Sequence, residues 1–171
     1  MRTGHTTLDF TAAWTYKDLV HPIFQVIDQL SNDALLGITV THAGEIAGRP
    51  HRLRAGLLFT HGVTAAANFV NTAGQRGALI SSARQTAVNL EAFAEERLPL
   101  GRNIALVAGV VGAANRRRNE HLVGATPDYA LDYHRIMPKL GARWDRGDVQ
   151  IYANVSLSYE PPSFSETLTL N

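Results

Sequence analysis

Apolar and polar residues alternate with a period of two along most of the chain, and few folds accept such a pattern. From Leu8 to Lys17 one face carries Leu8, Phe10, Ala12, Trp14 and Tyr16, and the other carries Asp9, Thr11, Ala13, Thr15 and Lys17. Near the end, Val149, Ile151, Ala153, Val155 and Leu157 alternate with Gln150, Tyr152, Asn154, Ser156 and Ser158. A helix would scatter these positions around its circumference, whereas a strand places each set on one side. Weaker versions run through Leu36, Ile38 and Val40, through Leu53, Ala55, Leu57 and Phe59, through Val88, Leu90, Ala92 and Ala94, and through Leu140, Ala142 and Trp144. Seven strands are expected, near 6–17, 34–43, 50–61, 84–97, 102–114, 134–145 and 149–158.

The spacing between these segments alternates long and short. Long connections are expected at 18–33, 62–83 and 115–133, and short ones at 44–49, 98–101 and 146–148. Strands longer than the usual five or six residues, with short turns at one end and long loops at the other, fit an up-and-down membrane barrel. About 9–11 tilted residues cross the hydrocarbon layer. On this reading the apolar faces meet lipid and the polar faces line a wet or plugged lumen. Trp14, Tyr16 and Trp144 lie toward strand ends, either as an aromatic girdle or as ordinary core aromatics. A soluble all-β module, such as a lectin-like sandwich with its apolar faces packed together, remains the rival from composition alone.

Composition removes other classes. There are no cysteines, which excludes disulfide scaffolds, thiolate metal sites and cysteine nucleophiles. Lys+Arg 16 against Asp+Glu 15 leaves a formal charge of +1, so no nucleic-acid partner is expected. The chain opens Met1-Arg2-Thr3-Gly4-His5-Thr6-Thr7 without an apolar run, so no secretory signal is expected within it. None of the seven histidines forms an H-E-x-x-H or a close helical pair, so no metal is expected. No nucleophile elbow, P-loop or dinucleotide fingerprint is present. Glu95 and Glu96 are adjacent and would point to opposite faces of a strand. No enzyme and no bound cofactor are expected.

Four blocks carry a family resemblance: Asn68-Phe69-Val70-Asn71 with Gly74-Gln75-Arg76-Gly77, then the run Gln85 to Glu95, then Pro138-Lys139-Leu140-Gly141 with Trp144. The fourth and most specific is Tyr152-Ala153-Asn154-Val155-Ser156-Leu157-Ser158-Tyr159-Glu160-Pro161-Pro162-Ser163-Phe164-Ser165-Glu166. Together they resemble the middle of the barrel of TonB-dependent outer-membrane receptors, nearest the ferric-siderophore and ferric-dicitrate group. The resemblance implies an all-β, antiparallel up-and-down transmembrane β-barrel portion, about seven strands of a larger barrel. It also implies an outer-membrane location and uptake of ferric-siderophore complexes with TonB energy, the iron arriving inside the ligand.

Family barrels have 22 strands and an N-terminal plug on which TonB pulls. Residues 1–171 are therefore expected to be a partial barrel, with plug and C-terminal strands absent and the end, Leu168-Thr169-Leu170-Asn171, lying in a loop. A nonfunctional remnant of a receptor gene fits the same reading. Seven strands cannot close, and an open edge cannot stand in lipid with unpaired amides. In such receptors an anionic chelate meets the outer loops, and guanidinium suits carboxylates. Gln75, Arg76 and Arg84 are the expected ligand contacts, in one outer loop with Asn68 and Asn71. A second loop would hold Arg116, Arg117, Arg118, His121 and Tyr133. The arginine run there suits lipopolysaccharide phosphates or plain solubility.

Overall fold

A computed structural model describes residues 4–46, 48–101, 103–125 and 127–169. Seven strands follow one another in a single antiparallel sheet: β1 (His5–Pro22), β2 (Gln25–Ile46), β3 (Arg49–Thr72), β4 (Gln75–Pro99), β5 (Ile104–Val123), β6 (Tyr129–Arg146) and β7 (Val149–Ser156). Spatial order equals chain order, so every connection joins neighbours, and the sheet forms a half-barrel with β1 and β7 as open edges. The expected all-β, up-and-down architecture and strand count are observed. Arg102, taken as the start of the fifth strand, lies outside the described residues.

The register aligns the alternation from strand to strand. Phe10 pairs with Ile38, Ile38 with Leu57, Leu57 with Ala92, Ala92 with Gly112, and Gly112 with Ile136. Each residue in that row points to the same side, because facing residues in an antiparallel ladder share a face. The rows above and below repeat the pattern, giving one continuous apolar band. Its large side chains stay open: Phe10 is 74% exposed, Trp14 69% and Ile136 75%. Soluble domains do not leave such a band uncovered. The packed-sandwich alternative is therefore not what this chain forms, since no second sheet covers it among the described residues.

The expected long loops are not loops. Residues 18–33 and 62–83, and the described residues of 115–133, form β-ladder almost throughout, closing at 23–24, at 73–74 and between Val123 and Tyr129. Outside the hydrocarbon the outward face no longer has to be apolar, so alternation fades while backbone pairing persists. At roughly 3.3 Å per residue, the nine steps from Ala34 to Gln25 carry the β1–β2 hairpin about 30 Å of strand beyond the band. The opposite ends close between Ile46 and Arg49, between Pro99 and Ile104, and between Arg146 and Val149.

The β3–β4 hairpin turns on Ala73 (φ 54°) and Gly74 (φ 85°). Two consecutive positive φ values in a two-residue loop match the primed turn whose twist suits a hairpin. Ala in the left-handed region costs about 1 kcal/mol, and Asn tolerates it better. Ala73→Asn should therefore stabilise the folded barrel by about 0.5 kcal/mol. An upward shift in the denaturant midpoint checks it, and an unchanged or lowered midpoint would argue against strain at this turn.

After β7 the chain does not stay irregular. Residues 157–163 cross the polar, concave side of the sheet and lead into a short helix, α1 (Phe164–Thr169). Leu157 N donates to Pro138 O at 3.1 Å, and the Arg135 guanidinium lies 5.0 Å from the centre of the Tyr159 ring. A reciprocal capping box starts the helix: Ser163 N donates to Glu166 Oε2 at 2.7 Å, and Glu166 N donates back to Ser163 Oγ at 3.4 Å. The Ser163 hydroxyl, and after it the Ser163 amide, hold the Glu166 carboxyl below its ordinary pKa. The expected terminal loop is thus a helix as far as Thr169, and the last two residues lie outside the described ones.

Candidate functional site

On the concave face the polar half of each alternation converges. Thr60 on β3 faces Asn89 on β4, and Asn89 faces Asn115 on β5. Asn89 Nδ2 donates to Thr60 Oγ1 at 2.7 Å, and Arg117 Nη1 donates to Asn89 Oδ1 at 2.8 Å and to Arg116 O at 3.1 Å. Four residues higher along both strands, Gln85 Nε2 donates to Asn119 Oδ1 at 3.3 Å. Higher still, Gln25 Nε2 donates to Asn68 Oδ1 at 3.2 Å and Asn68 Nδ2 to Ser81 Oγ at 3.1 Å. A ladder of amides and hydroxyls therefore climbs the inner wall.

The crossing segment covers the lowest rung. Glu160 and Pro161 roof a cleft of about 310 Å³ whose floor includes Thr60, Asn89, Asn115 and Arg117. Asn115 is 5% exposed and Arg117 8%. Within this cleft the Asn115 Nδ2 donor is buried and has no hydrogen-bond partner. A buried, unpaired donor costs roughly 1–3 kcal/mol, so an acceptor arriving there recovers that cost. Glu91 lines one side, and no carboxylate lies within ion-pair distance of Arg117 among the described residues. A guanidinium beside a free amide donor suits a ligand rich in oxygen acceptors, and the Glu91 and Glu160 carboxylates share the lining with them. No cluster of three or more His, Asp or Glu positioned to hold a metal ion occurs among the described residues.

The residues expected from sequence as ligand contacts take other positions. Gln75, Arg76 and Arg84 are not in a loop but on β4. Gln75 and Arg76 sit beside the 73–74 turn, paired with Thr72 and Asn71. Arg76 Nη2 lies 2.7 Å from Asp28 Oδ2, and its guanidinium is 6.0 Å from the Phe69 ring centre. Arg84 is eight residues further down, opposite Ala65 and Glu120, on the same face as the apolar band. The structure does not bring Arg76 and Arg84 together.

The arginine run is also on a strand, β5, not in a loop. Alternation divides it, turning Arg117 inward to the cleft while Arg116 and Arg118 stay open on the outer face. The signal for the inner site was present as Ala113, Asn115, Arg117 and Asn119 at period two, continuing the strand upward.

A family model of TonB dependent receptor-like β-barrels matches residues 2–170. Among solved structures, the ferric citrate transporter FecA in its unliganded form superimposes with a TM-score of 0.69 at 13% identity. That match covers 90% of this chain and 24% of the transporter, so the chain spans about a quarter of that protein's length. At that identity the likeness shows the fold. No curated protein matches.

Proposed function

This chain belongs to the TonB-dependent receptor β-barrel family, and we propose that it forms part of the wall of an outer-membrane receptor taking up anionic ferric chelates. The observation that carries the reading is the cleft on the concave wall, where buried Arg117 and the unpartnered Asn115 donor face the interior. An anionic chelate offers carboxylate or hydroxamate oxygens to both, in a cleft that Glu160 and Pro161 also line. Gln75 and Arg76, at the tip of the β3–β4 hairpin, are positioned to meet an arriving anion earlier. Uptake would be driven by TonB acting on a plug domain inside the completed barrel. The family's transport role and the wall-like site together favour a transporter over an enzyme.

Arg117→Ala tests the site in the receptor that carries this chain. Losing a charge-assisted contact of about 1.5–3 kcal/mol should weaken ferric-chelate binding by about 10–100-fold. Arg117→Lys should fall between, since a point charge replaces a two-pronged fork. Equilibrium binding of radiolabelled ferric citrate and ferric hydroxamates to cells checks this. Unchanged affinity in a correctly inserted Arg117→Ala receptor would move the ligand site elsewhere. Sequencing the DNA on both sides of this reading frame separates a working receptor from a gene remnant. In-frame plug and barrel-closing strands support the former, and nearby stop codons the latter.

A further inference from the structure

At its short-turn end the outer face of the sheet carries a side-chain cluster that the receptor reading does not use. Register places Thr6 opposite His42, His42 opposite Leu53, Gly44 opposite His51 and Leu53 opposite Glu96, all on the face of the apolar band. His42 and His51 are therefore diagonal neighbours on β2 and β3, within reach of one another. Four residues from Ile38 to His42 cover about 13 Å of strand, and six from Leu57 to His51 about 20 Å. At a tilt near 40° these are about 10 and 15 Å along the membrane normal, on either side of the half-height of a band about 25 Å tall. The pair therefore lies at the headgroup boundary, where water reaches it.

Both imidazoles turn the same nitrogen toward one point. Their ring centres are 5.4 Å apart and their planes are tilted by 49°. His51 Nδ1 donates to Glu96 Oε1 at 3.2 Å, and His42 Nδ1 shares a hydrogen bond of 2.8 Å with Thr6 Oγ1. A neutral ring that gives its Nδ1 proton to a partner keeps a lone pair on Nε2. Neither Nε2 has a hydrogen-bond partner among the described residues, and both lie over Gly44. A Cβ added at Gly44 would stand 2.8 Å from His42 Nε2 and 3.3 Å from His51 Nε2. The glycine thus leaves a gap between two nitrogen donors. Imidazole nitrogen binds a metal ion at about 2.0–2.1 Å. Small turns about χ1 and χ2 bring both Nε2 atoms onto one ion above Gly44. The carboxylate behind His51 and the hydroxyl behind His42 are the kind of partner that fixes tautomer and aim in metal-binding imidazoles. Glu96 also offsets the charge of Arg49, two residues from His51 on the same face.

We propose that His42 and His51 form a two-histidine site for a divalent transition-metal ion of the Cu²⁺, Ni²⁺ and Zn²⁺ class, with Glu96 and Thr6 as positioning residues and water in the remaining coordination positions. Nine positions separate the two histidines in the chain, so no motif spacing announces them, and only the β2–β3 register makes them neighbours. A bound ion ties β2 to β3 beside their short turn. The inference rests on the sheet alone and not on what the receptor carries.

The test uses the whole receptor in detergent micelles, stripped with a chelator and titrated with Cu²⁺, Ni²⁺, Zn²⁺ or Mg²⁺ alone. Calorimetry reads stoichiometry and affinity, and electron paramagnetic resonance of the Cu²⁺ form reads the number of bound nitrogens. Wild type should take up one more equivalent than the double variant H42Q/H51Q. That equivalent should bind Cu²⁺ most tightly, Ni²⁺ and Zn²⁺ less so, and Mg²⁺ not at all, because Mg²⁺ asks for oxygen ligands. Its Cu²⁺ spectrum should show two imidazole nitrogens. Glu96→Ala should weaken the site about 10–100-fold, and Glu96→Gln, which still accepts from His51 Nδ1, should recover most of that loss. Gly44→Ala keeps both ligands and both partners but fills the gap, and should cost at least about tenfold in Cu²⁺ affinity. Equal uptake by wild type and H42Q/H51Q overturns the proposal, as does a wild-type spectrum with fewer than two nitrogens. Mg²⁺ bound as tightly as Cu²⁺ overturns it in favour of general cation attraction to Glu96. Wild-type affinity in Gly44→Ala overturns the placing of the ion between the two Nε2 atoms.

Discussion

Expressed by itself in plain buffer, the 171-residue polypeptide should elute as aggregate and give a defined species only with detergent. Two features lead there. First, the apolar band runs across all seven strands and includes Phe10, Leu36, Leu57, Leu90, Ile136 and Leu140, all exposed. Contiguous apolar patches above a few hundred Å² do not stay single in water. Second, β1 and β7 are edges, and β1 pairs along its whole length with β2 alone. Its free amides and carbonyls are a template for another copy. Size-exclusion chromatography with light scattering, with and without detergent, decides the matter. A sharp monomer in plain buffer would mean that something covers the band, and the membrane-wall reading would fall with it.

What could be read from the residues follows where water and lipid meet the sheet. Between Leu8 and Tyr16 the solvent on each face dictates the residue type, so the strand was visible and the structure extends it only to His5–Pro22. Between Asp28 and Asp33 both faces are wet, and Asp28, Gln29, Ser31, Asn32 and Asp33 alternate in nothing. That stretch is nonetheless fully paired with β1 and β3 through the backbone, which leaves no mark on side-chain identity. The same blindness hid the inner site. Once 115–119 is taken as a loop, Arg116, Arg117 and Arg118 are three equal charges; on a strand, one faces the lumen and two face out. The helix was legible in principle, since Ser163-Phe164-Ser165-Glu166 spells a capping box. Its six residues carry no periodic pattern to announce it.

The sidedness of the wall admits a direct experiment with two adjacent residues. Ile38 faces outward at the middle of the band, between Phe10 on β1 and Leu57 on β3. Thr39, one residue on, faces inward between Asp9 and Gly56. Ile38→Arg puts a guanidinium against acyl chains near the bilayer midplane, where the cost to a folded barrel is about 2–4 kcal/mol. Thr39→Arg puts the same group into a wet lumen beside a carboxylate, where the cost should stay under about 1 kcal/mol. Both introduce the same side chain and the same charge in place of a β-branched residue, and the larger size increase falls on Thr39, so a greater cost at Ile38 reports the medium on its side. Guanidinium unfolding of the full receptor in lipid vesicles measures it through the shift in midpoint. Equal costs would mean that both faces meet the same solvent, which no membrane wall permits. A reversed order would turn the sheet inside out and place Arg117 in lipid, where an unpaired guanidinium at that depth has no physical justification.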